Sequence, residues 1–195
     1  MKASDFILQT RADLQEKSEH WKDEELLLKL QRAYISLQFD LPFFIAKENI
    51  DIQEGTQEYY LKHTPISNIS LKIDSFNIEY SLNENFYSQQ KENSYTFEEN
   101  ILVIGFIPNF TAIGLIVYKY AKELANANCE IEIPLIYYKA LRLLFMSEIH
   151  EKPTRNTKER VLSVHYINLY EKEIANLKVK QKKRAKNITS NYQRI

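Results

Sequence analysis

Cysteine and glycine are scarce in this 195-residue sequence, and each scarcity excludes a class of protein. Cys129 is the only cysteine, so neither an internal disulfide nor a cysteine-only zinc site can form. The three glycines, Gly55, Gly105 and Gly114, cannot build a P-loop or a dinucleotide-binding fingerprint. These absences exclude the nucleotide-driven enzymes that use those motifs, and they predict a protein that folds in the cytoplasm.

The sequence also lacks a recognisable catalytic or metal-binding cluster. Its four histidines show no close metal-ligand spacing: His20, His63, His150 and His165. Cys129 and His165 could in principle form a thiol–imidazole pair, but no neighbouring residue supports it. Paired glutamates such as Glu24 and Glu25 lie in polar stretches typical of solvated faces. We therefore predict that the chain is not an enzyme and holds no cofactor and no metal.

Long apolar runs are nearly absent. The first apolar run spans only Phe6–Leu8, which is too short for a signal peptide. The eighteen residues from Ile101 to Tyr118 carry no charge, which is close to the length that crosses a bilayer. Their β-branched residues and the central Pro108–Asn109 pair favour two buried strands joined by a loop. We therefore expect no membrane partner.

Charge is divided unevenly along a chain that has 26 basic and 26 acidic residues. Residues 176–195 contain seven Lys or Arg and no Asp or Glu, so residues 1–175 contain 19 basic and 26 acidic residues. An acidic body repels phosphate, whereas a basic tail attracts an acidic partner of any kind. The candidate binding residues are seven cations and three apolar anchors of this tail: Lys178, Lys180, Lys182, Lys183, Arg184, Lys186, Ile188, Tyr192, Arg194 and Ile195.

Helical periodicity marks both ends of the chain. The N-terminal part predicts a short helix over Ser4–Gln15 and a longer helix that starts at an Asp23 N-cap. A third helix starts after Pro134, and a capping box at Asn156–Glu159 opens the last helix. The apolar stripe of the last helix runs Leu162, Tyr166, Leu169, Tyr170, Ile174 and Leu177. It stops at Leu177, so the basic run beyond it is either a solvated helical extension or disordered. We expect one apolar face on each of the last two helices, with these members: Tyr137, Leu141, Leu144 and Phe145 facing Leu162, Tyr166 and Leu169.

A period of two marks the middle of the chain. Residues 49–61 predict a hairpin that turns at Gly55, and residues 65–80 predict a second hairpin that turns at Asp74–Ser75. Residues 81–100 are polar and predict a long loop with one short strand at Tyr95–Phe97. Two further apolar strands occupy residues 101–120.

These patterns predict an α+β protein with a helical bundle core, an inserted antiparallel β region and a basic C-terminal tail. The core combines the N-terminal helices with two C-terminal helices. We expect a single domain over residues 1–176, helical over 1–45 and 134–176 and β-rich over 46–122. Residues 177–195 form the C-terminal extension.

The order of these parts resembles one protein family. An amphipathic helix near a tryptophan, WKDEELLLKLQRAYISLQFDLP, is followed by EGTQEYYL, by IEIPLIYYKALRLLFMSEI and by a long closing helix. This order is similar to that of the head-to-tail adaptor (connector) proteins of tailed bacteriophages, and the resemblance covers roughly residues 21–186. The long 81–100 loop and the lysine-rich tail depart from the family pattern.

The resemblance implies a structural virion protein that forms a ring, expected to be dodecameric, beneath the portal. The ring extends the DNA channel in the neck between capsid and tail and offers a docking face for tail or nozzle proteins. Genomic DNA passes through it without sequence-specific binding. The position of the C-terminal extension implies contact with the portal protein. The subunit would assemble in the host cytoplasm, and we expect the free protein to be a monomer or loosely associated.

The alternative is a small nucleic-acid-binding protein that uses the same tail. Seven neutralised phosphates would give a log–log salt slope of about −6 on duplex DNA, from about −0.9 per contact.

Overall fold

The chain is a mixed α+β protein, which confirms the class predicted from the sequence. The computed structural model describes residues 1–14, 21–73, 78–82, 94–105, 107–151 and 157–192. The chain divides into two compact units. A helical unit combines Met1–Leu41 with Glu123–Ile195, and a β unit comprises Pro42–Lys122. The β unit is therefore inserted, along the sequence, between the two parts of the helical unit.

The helical unit contains four α-helices in the described part of the chain: α1 (Ala3–Leu14), α2 (Asp23–Asp40), α3 (Tyr138–His150) and α4 (Thr157–Tyr192). A 3-10 turn, Leu135–Tyr137, leads into α3 directly after Pro134. Helix α3 packs against both α2 and α4. The chain start is fixed by backbone hydrogen bonds, because the N–H groups of Ala3 and Ile131 donate to the carbonyls of Cys129 and Met1. The helical unit is thus built from segments distant in sequence.

Apolar stripes explain where these helices pack. In α2 the fully buried side chains recur three or four residues apart, at Leu26, Leu30, Ala33 and Leu37. Helix α3 buries a broader face that includes Leu141, Leu144 and Phe145. On α4 the buried residues are Tyr170, Ile174 and Leu177, whereas Leu162, Tyr166 and Leu169 are only half-buried. The α3–α4 pair was predicted correctly, but its best-packed part lies about one to two turns further along α4.

The start of α2 differs from the prediction. Lys22, with φ −72° and ψ 150°, occupies the cap position, and Asp23 is the first helical residue. The Glu25 carboxylate accepts a hydrogen bond from the Lys22 N–H at 3.3 Å. The Asp23 carboxylate instead pairs with the Arg11 guanidinium of α1. Asp23 is therefore the first residue inside α2, and its carboxylate links this helix to α1.

The β unit contains seven strands in its described residues: β1 (Phe44–Ile52), β2 (Glu58–Tyr60), β3 (Pro65–Ile73), β4 (Ile78–Leu82), β5 (Ser94–Glu98), β6 (Ile101–Ile104) and β7 (Ala112–Tyr120). They form one sheet in the order β1-β7-β3-β4-β5-β6-β2. Neighbours are antiparallel except β4 and β5, which run parallel. The two strands predicted in residues 101–120 are β6 and β7, and they lie in different parts of the sheet.

The first predicted hairpin is wrong. The turn exists, because Gly55 has a φ of +79° that favours glycine. Strand β1, however, pairs with β7 along nine residues, from Phe44↔Tyr120 to Ile52↔Ala112. Strand β2 pairs with β6. The three residues of β2 offer few hydrogen bonds, whereas the longer and more apolar β7 offers a full-length partner.

The second predicted hairpin is confirmed, since β3 and β4 pair from Leu71↔Tyr80 to Ile73↔Ile78. Its Asp74–Ser75 turn lies outside the described residues. The short strand expected at Tyr95–Phe97 is present as β5. Most of the predicted 81–100 loop, residues 83–93, lies outside the described residues, as does Asn156 of the predicted capping box.

The core of the β unit is made of alternate residues from its strands, such as Ile52, Leu71, Tyr95, Leu102 and Ile116, which are all fully buried. Gly114 of β7 lies against this layer. A Cβ atom added there would meet the Ile50 Cγ1 at 3.0 Å, so this glycine allows close strand packing. None of the helices in the described part of the chain combines the length and apolar content that a membrane span requires.

Candidate interaction surface

The basic residues predicted to bind a partner lie on the last turns of α4. This helix continues without a break from the body of the helical unit to Tyr192. Of the two alternatives for the basic run, the structure has the helical extension. We call residues 178–192 of α4 the basic end. At roughly 1.5 Å per residue, it is about 20 Å long.

Four of the predicted cations can be placed completely. Lys178, Lys180, Lys182 and Lys183 are all exposed. The backbone of Arg184, Lys186, Ile188 and Tyr192 is helical, while their side chains lie outside the described part. Arg194 and Ile195 are outside the described residues altogether. The structure therefore brings four lysines onto six consecutive positions of one helix.

The body of the helical unit contacts α4 as far as Gln181, beyond the boundary predicted between residues 176 and 177. Leu177 is only 2% exposed, so it belongs to the core. One turn later, the Gln181 side-chain amide donates a hydrogen bond to the Tyr137 hydroxyl. The predicted boundary assigned Tyr137 to the domain and Gln181 to the extension, because the apolar stripe ends at Leu177. The contact between the two residues is polar and does not belong to that stripe. Among the residues whose side chains are described, Gln181 is the last of α4 that hydrogen-bonds to the body.

An exposed apolar pair lies beside the base of the basic end. Leu135 is 86% exposed and Ile136 is 44% exposed, and both precede Tyr137 in the same 3-10 turn. Because Tyr137 contacts Gln181, this pair is close to the point where α4 leaves the body. Large exposed aliphatic side chains next to a charged stretch are typical of protein-binding surfaces. We call Leu135 and Ile136 the apolar corner.

The electrostatics of the basic end favour a partner. Lysines four residues apart, such as Lys178 and Lys182, repel each other on a helix face. Bound acidic groups would remove the repulsion altogether, and the apolar corner would add buried area that exposed ion pairs alone lack.

The described residues give no support for a catalytic site. No group of three or more His, Cys, Asp or Glu in the described ranges could hold a metal ion. The His63 ring stacks on Tyr120 with centroids 4.1 Å apart, and the His150 ring stacks on Tyr166 at 5.6 Å. The Cys129 thiol contacts the Asn126 side chain at 3.5 Å. That the chain is not an enzyme stays a prediction.

Two buried tyrosines hydrogen-bond to carboxylates, and no sequence signal pointed to either pair. The Tyr118 hydroxyl donates to Glu48, and the Tyr170 hydroxyl donates to Asp40 at 2.5 Å. Burial raises the pKa of Tyr118 and of Tyr170, and the neighbouring carboxylate raises each pKa further. Both hydroxyls are therefore protonated donors at neutral pH, which suits structural links between elements better than acid–base chemistry.

Tyr170→Phe should make stability less dependent on alkaline pH. Because the folded pKa of Tyr170 is raised, its contribution is complete below about pH 10, the unfolded tyrosine pKa, and is lost as pH rises further. In urea unfolding between about pH 9 and about pH 11, the variant should lose stability less steeply, by up to about 1.4 kcal/mol per pH unit. Equal pH slopes in the two proteins would contradict this account.

Comparison with known proteins adds no family to this description. The chain matches no protein-family model, and no curated protein sequence matches it.

Proposed function

We propose that the chain is a structural adaptor subunit of the neck of a tailed bacteriophage, bound to the portal protein through the basic end of α4. The observation that carries the proposal is this exposed, lysine-rich helix end, which continues a helix whose earlier turns are packed in the body. A rigid helix that leaves the body as a charged projection is suited to reach a neighbouring protein. The apolar corner at its base supplies the contact area.

The order of parts supports the same proposal. Two N-terminal helices and two C-terminal helices belong to one unit, and a β unit is inserted between them in the sequence. We propose that the four helices are the bundle core of an adaptor fold and that the β unit is its insertion. This is the order on which the resemblance to phage adaptors rests.

Charge supports a role as a conduit. Residues 1–175 have seven more acidic than basic residues, and a ring of about twelve copies would multiply that field. A channel of this sign would repel DNA and let it slide. Portal and tail proteins are the proposed neighbours on either side of the ring, and genomic DNA passes through its channel. The protein would then be located in the virion neck.

A second candidate, nonspecific nucleic-acid binding, is favoured by one observation. Lys178, Lys180, Lys182 and Lys183 are exposed around the helix, an arrangement that can also follow a phosphate backbone. The acidic excess of residues 1–175 opposes such binding. Contacts confined to one helix end are therefore a weaker explanation than a protein partner.

Mass measurement in solution, with and without portal protein, tests the proposed function. We expect the protein alone to remain small or loosely associated, because much of the exposed surface of its strands is polar, including Lys47 and Asp51 of β1. Added portal rings should collect about one subunit per portal chain into a closed assembly. Tight dodecamers of the free protein, or no complex with the portal, would contradict the proposal.

A further inference from the structure

A groove runs between α2, α3 and α4 on the helical unit and reaches Lys178, the first residue of the basic end. Its volume is about 610 Å³. Leu144, Tyr170 and Ile174, all nearly buried, form its floor. A groove of this size with an apolar floor accommodates side chains of a second polypeptide.

The rim of this groove is acidic. Asp40, Glu148 and Glu171 line it, and Lys178 is the single cation among the described residues that line it. Asp40 already accepts a hydrogen bond from Tyr170, and Glu171 is exposed. Burial and the neighbouring Glu151 raise the pKa of Glu148, although Lys29 and Arg32 act in the opposite direction. A cation placed in the groove would stabilise these carboxylates in their charged form.

The same chain carries an element that complements this groove. The basic end presents Lys180, Lys182 and Lys183 in exposed positions, with Val179 also 51% exposed. It combines positive charge with an aliphatic side chain, as the acidic rim and apolar floor require. Lys178 lies at the groove of its own molecule, but α4 is continuous, so the residues of the basic end beyond Lys178 cannot turn back into that groove. Their pairing must join two molecules.

We propose that the basic end of α4 in one copy binds the acidic groove of a second copy. The contact is heterologous, because a different surface of each molecule takes part, so it can continue from copy to copy. The contact is stabilised by charge and by limited apolar burial. We therefore expect the association to be weak and to decrease as salt is added. The inference does not depend on a portal or on a phage neck, since it follows from two surfaces of one chain.

The charge-swap experiment uses two variants of the full chain. In Glu171→Lys the groove loses its acidic excess, and in the double variant Lys182→Glu, Lys183→Glu the basic end changes sign. Each variant alone should self-associate about tenfold or more weakly than the unmodified protein in sedimentation velocity at about 0.1 M salt. An equal mixture of the two should regain association, because the intact basic end of the first variant meets the intact groove of the second.

Glu54→Lys is the matched control, since Glu54 is exposed in the Gly55 turn of the β unit and undergoes the same charge change. This control should associate like the unmodified protein. The association of the unmodified protein should vanish at about 1 M salt, where the Debye length is about 3 Å. An unmodified protein that is monomeric at low salt, a mixture that stays dissociated, or an equal loss in the control would each overturn the proposal. The Glu171→Lys variant keeps an intact basic end, so the variant should still bind portal rings. This result separates the present inference from the proposed function.

Discussion

Replacing Phe145 with alanine should lower the free energy of unfolding by about 3 to 5 kcal/mol. Phe145 is fully buried in α3, and its ring lies 5.9 Å from the Phe6 ring of α1, centroid to centroid. Its removal leaves a cavity in the middle of the helical unit, because the neighbouring helices can relax only partly. Urea unfolding followed by circular dichroism measures the change.

Phe39→Ala is the matched control, because it makes the same substitution on α2 at a side chain that is 59% exposed. Little apolar area is lost there, and alanine is the better helix former, so the change should be below about 1 kcal/mol. Equal losses at Phe39 and Phe145 would show that the buried faces of α2 and α3 are assigned incorrectly.

Two truncations of α4 should have very different effects on stability. Stopping after Asn176 removes Leu177 from the core and also the Gln181–Tyr137 hydrogen bond, so it should cost about 2 to 5 kcal/mol. Stopping after Gln181 keeps both contacts and should change stability by less than about 0.5 kcal/mol. Thermal unfolding of the two proteins side by side measures the difference.

A comparable loss in both truncated proteins would mean that the turns beyond Gln181 are also packed against the body. A negligible loss in both would mean that Leu177 contributes little to the core. Either outcome would contradict the assignment of Leu177 and Gln181 as the last contacts of α4 with the body.

The helices could be predicted from the sequence because their information is local. In α2, Leu26, Leu30 and Leu37 recur on one face within a single stretch, and Pro42 limits the end of that stretch. The stripe on α4 identified Tyr170, Ile174 and Leu177 in the same way. The end of its packing was misplaced because the Gln181 contact is polar and leaves no trace in an apolar pattern.

Strand pairing could not be predicted to the same extent, because it joins distant residues. Ile52 pairs with Ala112, although a nearby turn at Gly55 suggested a local hairpin. Periodicity identifies a strand and its buried face but not its neighbour. The β3–β4 hairpin was predictable because its two strands are adjacent in sequence.

The same difference between local and long-range information applies to the candidate surfaces. The lysines of the basic end were evident from composition, and the structure adds that they lie on a helix beside Leu135. The acidic groove was not predictable, because Asp40 and Tyr170 meet only after α2 and α4 have packed. Sites formed by residues from separate elements carry no signal in a single sequence.

Retention of the truncated proteins on tail-less, portal-bearing capsids tests the central claim most directly. Full-length protein and protein ending after Gln181 are added to such capsids, which are then separated by sedimentation and washed. We expect the full-length protein to stay bound and the shortened protein to be lost, although its thermal midpoint is nearly unchanged. Full retention of the shortened protein, or a basic end that crosslinks to DNA and not to the portal, would contradict attachment through α4.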